Sequence, residues 1–162
     1  MNIRLAEEKD LEEILKIYEY AREFMAKTGN PNQWVGGHPK KSILEDDIEK
    51  KQLFVCEKDG VLKGVFAFII GEDPTYGYVE GGKWRNSEAY GTIHRIARGP
   101  YPESIAKESM DFCKSKIKNV RIDTHFDNKV MQKVVSKNGF EKCGVIYLED
   151  GSPRIAYHYV GE

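Results

Sequence analysis

The chain is predicted to be an α/β protein, a mixed central sheet of about seven strands flanked by about four helices. Three observations predict it. Apolar runs of strand length alternate with stretches whose apolar residues recur at helical spacing. The stretch from Tyr90 to Ile117 reads as strand, short loop and helix, and a further strand follows it, the order of a right-handed parallel crossover. Asp59-Gly60 and Asp150-Gly151 each sit between apolar runs, where residues that tolerate positive φ mark antiparallel hairpins.

In chain order, residues 2 to 6 form a short strand, and Leu11, Ile14, Leu15, Tyr18 and Ala21 then share one helical face. The turn-rich segment 27 to 39 carries Trp34 and His38, large side chains for a plain linker; either Trp34 caps the core edge or the loop walls a substrate pocket. A polar helix is expected from Ser42 to Lys50, with Ser42 as N-cap and Glu45 completing a capping box. Two apolar runs about Asp59-Gly60 give a hairpin, and a loop from 74 to 89 brings Tyr76, Tyr78, Glu80 and Trp84 towards the central strand at 90 to 97. A helix over 105 to 117, a strand at 119 to 125, a helix over 128 to 138 stopped by Asn138-Gly139, and a closing hairpin complete the chain. No repeat or linker divides it, so residues 1 to 162 are expected to form one domain.

Composition narrows the function. A net charge of -1 gives no electrostatic reason to expect nucleic acid, and no apolar run is long enough to span a bilayer. Cys56, Cys113 and Cys143 are odd in number and widely spaced, which suggests structural thiols in a reducing cytoplasm, and the start of the chain shows no targeting segment. There is no GxSxG elbow, no GxxxxGK[ST] phosphate loop and no GxGxxG fingerprint. A metal centre is not expected, since Asp123 and His125 on one strand face supply at most two ligands.

Strand 119 to 125 places Val120, Ile122 and Thr124 on one face and Arg121, Asp123 and His125 on the other. Polar side chains on a central strand are either paired, as Arg121 with Asp123, or line a wet cavity. His94, on the strand before, and His125 lie near the C-terminal ends of neighbouring parallel strands, where open α/β sheets hold ligands. Either imidazole is a candidate base for an amine nucleophile, with Asp123 to orient it. The loop before the 105 to 117 helix offers backbone N–H groups to an anion.

The order of elements, with YGTIHRIA and its helix and N128KVMQKVVSKNGF140, resembles the GNAT superfamily of N-acetyltransferases over essentially the whole chain. NQW at 32 to 34, PTYGYVEGGKW at 74 to 84, RIDTHFDN at 121 to 128 and CGVIYLEDGSPRIAY at 143 to 157 look like a bacterial subgroup of it. The resemblance implies a V-shaped splay between strands 90 to 97 and 119 to 125, with acetyl-CoA held there as cosubstrate. Pantetheine would lie along Ile96, Ala97 and Arg98, pyrophosphate on the loop of Tyr101, Ser104, Ile105 and Ala106, and Asn128 would reach the pantetheine arm. It further implies transfer of an acetyl group to a primary amine of a small molecule or peptide by direct attack, with Trp34, His38, Trp84 and Tyr157 assigned to the acceptor pocket.

Two positions depart from the family pattern. Ser104 replaces the first glycine of the phosphate loop, beside Pro102 and Glu103, which weakens the expected hold on CoA unless Arg98 and Lys107 offset the charge. The tyrosine that commonly protonates the leaving thiolate falls at Val135, so Ser136, another tyrosine or water would serve. The alternatives are a degenerate GNAT module that binds a ligand or partner without catalysis, and a structural subunit with no cleft at the splay. The acceptor and the oligomeric state, a homodimer included, are left open.

Overall fold

The computed structural model describes all 162 residues. Its strands are β1 (Asn2–Leu5), β2 (Leu53–Lys58), β3 (Val61–Ile70), β4 (Gly91–Arg98), β5 (Asn119–Thr124), β6 (Glu141–Tyr147) and β7 (Pro153–Val160), joined in one sheet in the order β1-β2-β3-β4-β5-β7-β6. Only β4 and β5 pair parallel; every other neighbour is antiparallel. The helices are α1 (Leu11–Lys27), α2 (Lys41–Glu49), α3 (Ala106–Lys114) and α4 (Lys129–Lys137). No helix is long and apolar enough to cross a membrane.

Alternation along the strands divides the core. Leu53, Val55, Val65 and Ala67 point to one face of the sheet and pack with Ile14, Ile17 and Tyr18 of α1 and Leu44 of α2. Their neighbours Phe66, Phe68 and Cys56 point to the other, against Met110 and Cys113 of α3 and Val135 of α4. Stacking of Phe54 on Phe66 at 5.5 Å, with Phe112 tilted on Phe54 at 5.0 Å, fills that second layer. On the first face no helix covers β5, β7 and β6. The 71 to 90 segment does so instead, burying Tyr76 and Tyr90 with Ile146 and Ala156.

That segment is zipped to the sheet by backbone. Glu80 and Val145 exchange hydrogen bonds of 2.8 and 3.0 Å, and Gly82 lies so close to β6 that a Cβ there would sit 1.8 Å from the Cys143 carbonyl oxygen. Only glycine fits that approach. The hairpin at Asp59-Gly60 forms as predicted, both residues taking positive φ, and Asn138-Gly139 closes α4 with the Phe140 N–H returning to the Val135 carbonyl at 3.1 Å.

The start of α2 differs from expectation. Its N-cap is Lys40, with no side-chain cap, and Ser42 already lies in the first turn, so there is no capping box at Ser42. The helix opens one residue early because the Lys40 carbonyl already accepts from Ile43 and Leu44.

The ladder between β3 and β4 runs in register from Ile70–Gly91 to Ala67–His94, then resumes at Val65–Ala97. Two residues, Arg95 and Ile96, therefore oppose Phe66 alone, a β-bulge that shifts the strand's parity by one. Ile93 faces α3 and α4, whereas Ala97, four residues on, packs with α1. Arg95 sits at φ +53°. Its carbonyl accepts from the Tyr18 hydroxyl at 2.7 Å and its guanidinium donates to Asp47 of α2 at 2.7 Å. Replacing Tyr18 by Phe leaves that carbonyl without its donor and is expected to lower unfolding free energy by about 1–3 kcal/mol in urea titrations; a loss under about 0.5 kcal/mol would mean that the bulge does not depend on this bond.

Candidate active site

β4 and β5 are paired at only two positions, Gly91–Val120 and Thr92–Arg121, after which both strands continue without a ladder between them. The bulge turns β4 away, and two cavities open at the parting. A cleft of about 430 Å³ lies on the side of the 31 to 39 and 71 to 75 loops and the β6–β7 turn. A groove of about 210 Å³ runs between the C-terminal half of α1, the end of β4 and the starts of α3 and α4. Met25, Ile96, Asn128 and Met131 line both, so the two spaces adjoin. A purely structural subunit has no need of either.

His94, Asp123 and Arg154 come from one face of three adjacent strands, β4, β5 and β7, and all line the cleft. His94 Nε2 is 2.9 Å from Asp73 Oδ2. Asp73 precedes a short 3-10 turn (Pro74–Tyr76) and caps it, its Oδ1 accepting from the Thr75 N–H at 2.9 Å and the Thr75 hydroxyl at 2.7 Å. Burial works against the charge on Asp73, but the bonds from His94 and Thr75 outweigh it and hold the carboxyl at about 2. A carboxylate only accepts, so Nε2 of His94 carries a proton, and in the neutral ring the lone pair is on Nδ1.

The Asp123 carboxylate accepts from the Tyr76 hydroxyl at 2.7 Å. Burial pushes the Asp123 carboxyl up, opposed by that bond and by His94 and Arg154. Burial and the Asp123 charge together push the Tyr76 hydroxyl well above its ordinary value, so it stays a donor. His38 is pushed down by burial and by Arg95, Arg22 and Arg154, which keeps it neutral.

The sequence-predicted residues separate by these positions. Trp34 and His38 both wall the cleft, and Trp34 also packs edge-on to Tyr18 at 5.6 Å, so it caps the core and lines the site at once. His125 is not brought to the cleft: β5 ends at Thr124, the chain turns into α4, and its Nδ1 accepts from the Asp127 N–H at 3.0 Å. The carboxylate bonded to His94 is Asp73 rather than Asp123. Arg121 and Asp123 form no ion pair, because the Arg121 guanidinium is stacked on Tyr90 at 3.7 Å and Trp84 at 4.1 Å and donates to the Asn86 carbonyl. Trp84 is thus spent anchoring the 71 to 90 segment and does not reach the cleft. Tyr157 faces away from it, into the core beside Val135 and Phe140.

In the groove, Ile96, Ala97, Arg98, Ser104, Ile105, Ala106 and Asn128 form the wall together with Phe24, Val130 and Val134. Tyr101 and Ser136 do not. Lys63 lies 4.1 Å over the Tyr101 ring and 3.7 Å from Glu103, drawing both away, and Ser136 is on the exposed side of α4. Glu103 is therefore matched by Lys63, while Lys107 is taken by Asp111 at 2.6 Å, so Arg98 is the cation left at the groove. Asn128 caps α4, accepting from the Met131 N–H at 3.0 Å, and donates to the Gln33 side chain at 2.9 Å.

No protein-family model and no curated protein matches the chain. Solved structures do. An acetyltransferase of the GNAT family from Streptococcus agalactiae is 32% identical, over 99% of this chain and 95% of that one, with a TM-score of 0.91. A candidate acetyltransferase from Staphylococcus aureus is 25% identical over 99% of each chain, at a TM-score of 0.72. A GNAT-family acetyltransferase from Listeria monocytogenes, at 17% identity and a TM-score of 0.74 over 98% of this chain and 94% of that one, shares the fold.

Because its folded carboxyl is held near 2 against an ordinary 3.8, Asp73 stabilises the fold above the ordinary value, and this contribution is lost as pH falls through the lower one. The difference in unfolding free energy between wild type and Asp73→Asn is expected to shrink on acidification from about pH 4 towards pH 2. A difference that grows across that window would contradict the His94 and Thr75 bonds as its source.

Proposed function

As the chain belongs to the GNAT family of acetyltransferases, we propose that it transfers an acetyl group from acetyl-CoA to the primary amine of a small molecule or peptide. The observation that carries this reading is that the groove and the His94 cleft adjoin at the parting of β4 and β5. The groove has the chemistry of a CoA site: apolar walls for pantetheine, the exposed backbone edge of β4 from Ile96 to Arg98, the Arg98 guanidinium, and the start of α3 for phosphate. When bound there, acetyl-CoA supplies an activated acyl group as a thioester.

The residues of the chain have three tasks. They align the amine with the acyl carbon, which converts an encounter into a step within one complex. They hold the proton that the amine loses as its nitrogen bonds to carbon; His94 Nδ1 is the acceptor, with Asp73 fixing the ring and stabilising the imidazolium. The backbone N–H groups of the Arg95–Ile96 bulge, which the β3 ladder skips, face the charge that develops on the acyl oxygen. As the carbon–sulfur bond breaks, the thiolate takes a proton. Val135 is buried in the core and Ser136 points outward, so neither supplies it, and water reaching the open cleft does. No enzyme-bound acyl group is needed.

Ser104 in place of a glycine in the groove wall favours a second reading, a module of the same fold that has lost the cosubstrate. Calorimetric titration separates the two. Acetyl-CoA is expected to bind in the micromolar range, about -8 kcal/mol; no heat and no thermal shift up to millimolar acetyl-CoA would establish the non-catalytic module. With turnover in hand, His94→Ala is expected to lower kcat by about 10²- to 10⁴-fold without changing acetyl-CoA affinity, and His125→Ala to leave kcat within about twofold. Equal losses in both variants would remove His94 from the role of base.

A further inference from the structure

We infer that Arg154 is an anion-recognition residue of the acceptor pocket, and that the acceptor is a compact primary amine that carries a carboxylate, as an amino acid or a short peptide does. This rests on the acetyl-transfer reading above and narrows its substrate.

Arg154 is only 6% exposed and no carboxylate is in contact with its guanidinium, the charges of Asp123 and Asp150 acting on it from further off. Its guanidinium donates to two backbone carbonyls, Pro153 at 2.9 Å and Gln33 at 3.3 Å. Two of its five N–H groups are so engaged, and the others belong to a side chain in the cleft wall. The other buried cations of this face are answered within the protein: Arg95 by Asp47 at 2.7 Å, Arg121 by the faces of Trp84 and Tyr90. A buried cation without a carboxylate partner is costly unless something else supplies the anion. The acidic groups nearest in the cleft are otherwise bonded: Asp123 accepts from Tyr76, and Asp150 from the Ser152 N–H and hydroxyl.

The cleft is therefore dipolar. Its β4 side presents His94 with Asp73, where an amine is to be held and deprotonated, and Asp123 follows on β5. Arg154 stands on β7, two strand spacings from β4, about 10 Å between backbones before the splay. A molecule with an amine at one end and a carboxylate at the other matches this polarity, whereas a polyamine would set a second cation against Arg154. Trp34, Met25 and Leu148 leave an apolar wall for a side chain between the two.

The test uses the full chain with saturating acetyl-CoA and follows CoA release with a set of L-amino acids, each beside its carboxamide, its decarboxylated amine and its glycine-extended dipeptide. Wild type is expected to prefer the carboxylate-bearing amines by about 10- to 100-fold in kcat/KM, the worth of charge-assisted hydrogen bonds to a guanidinium. In Arg154→Gln that preference is expected to collapse to under about threefold, through KM more than kcat, with Arg154→Lys keeping part of it. Free amino acids outpacing the dipeptides, or the reverse, identifies which source supplies the carboxylate. Should Arg154→Gln fail to fold, the comparison of acid with amide in wild type still decides. Equal rates on acids, amides and plain amines, or no turnover of any carboxylate-bearing amine while acetyl-CoA binds, overturns the inference and leaves acetyl transfer standing; absence of acetyl-CoA binding is read separately by calorimetry and overturns both.

Discussion

Holding a non-glycine residue at positive φ costs on the order of 1–3 kcal/mol, and Arg95 is kept there at +53° by bonds from two helices, Tyr18 of α1 to its carbonyl and Asp47 of α2 to its guanidinium. The bulge that results changes the parity of β4, so that Ile93 and Ile96 serve one layer of the core and Ala97 the other. It also ends the ladder with β5 after two residue pairs. Without it β4 would run alongside β5 and neither cavity would exist. The helices of one face thus set the geometry of the groove that α3 and α4 line on the opposite face.

Around this opening the charges follow one rule: each buried ionic group is answered, and the manner of the answer tells its role. Asp47 and Arg95 neutralise each other and are structural. Arg121 lies between aromatic faces and holds down the segment that carries Asp73 and Tyr76. The His94–Asp73 pair stays partly accessible, with side chains 22% and 14% exposed, which suits the proton exchange proposed for it. Arg154 differs in that its hydrogen bonds go to carbonyls and no carboxylate touches it, Asp123 and Asp150 acting on it only from a distance.

Much of this was legible in the sequence. Alternating strands, the two Asp-Gly turns and the Asn138-Gly139 stop are local signals, and the structure has each of them. Trp34 and His38 stood out as large rings in a turn-rich loop, and His94 and most of the groove wall as parts of the strand–loop–helix unit that ligands favour; the structure places all of these beside the two cavities. Asp73, Gln33 and Arg154 did not stand out, since their meaning comes from residues 21 and 121 positions apart: Asp73 pairs with His94, and Gln33 accepts from Arg154. Asp73 followed by Pro74 and Thr75 did carry a cap signal, though a cap says nothing of a histidine. Trp84 and Tyr157 misled for the opposite reason. A large ring in a loop or closing strand looks available, and only packing shows that one is stacked on Arg121 and the other faces the core.

Gln33 joins three parts of the molecule. Its side-chain oxygen accepts from Asn30 and Asn128, each at 2.9 Å, and its backbone oxygen accepts from Arg154. Asn128 belongs to the walls of both cavities. One residue thus bonds both to the cap of α4, at the groove, and to Arg154, in the cleft. Any coupling between ligands on the two sides is reciprocal by thermodynamic necessity: whatever one ligand does to the affinity for the other is returned in equal measure.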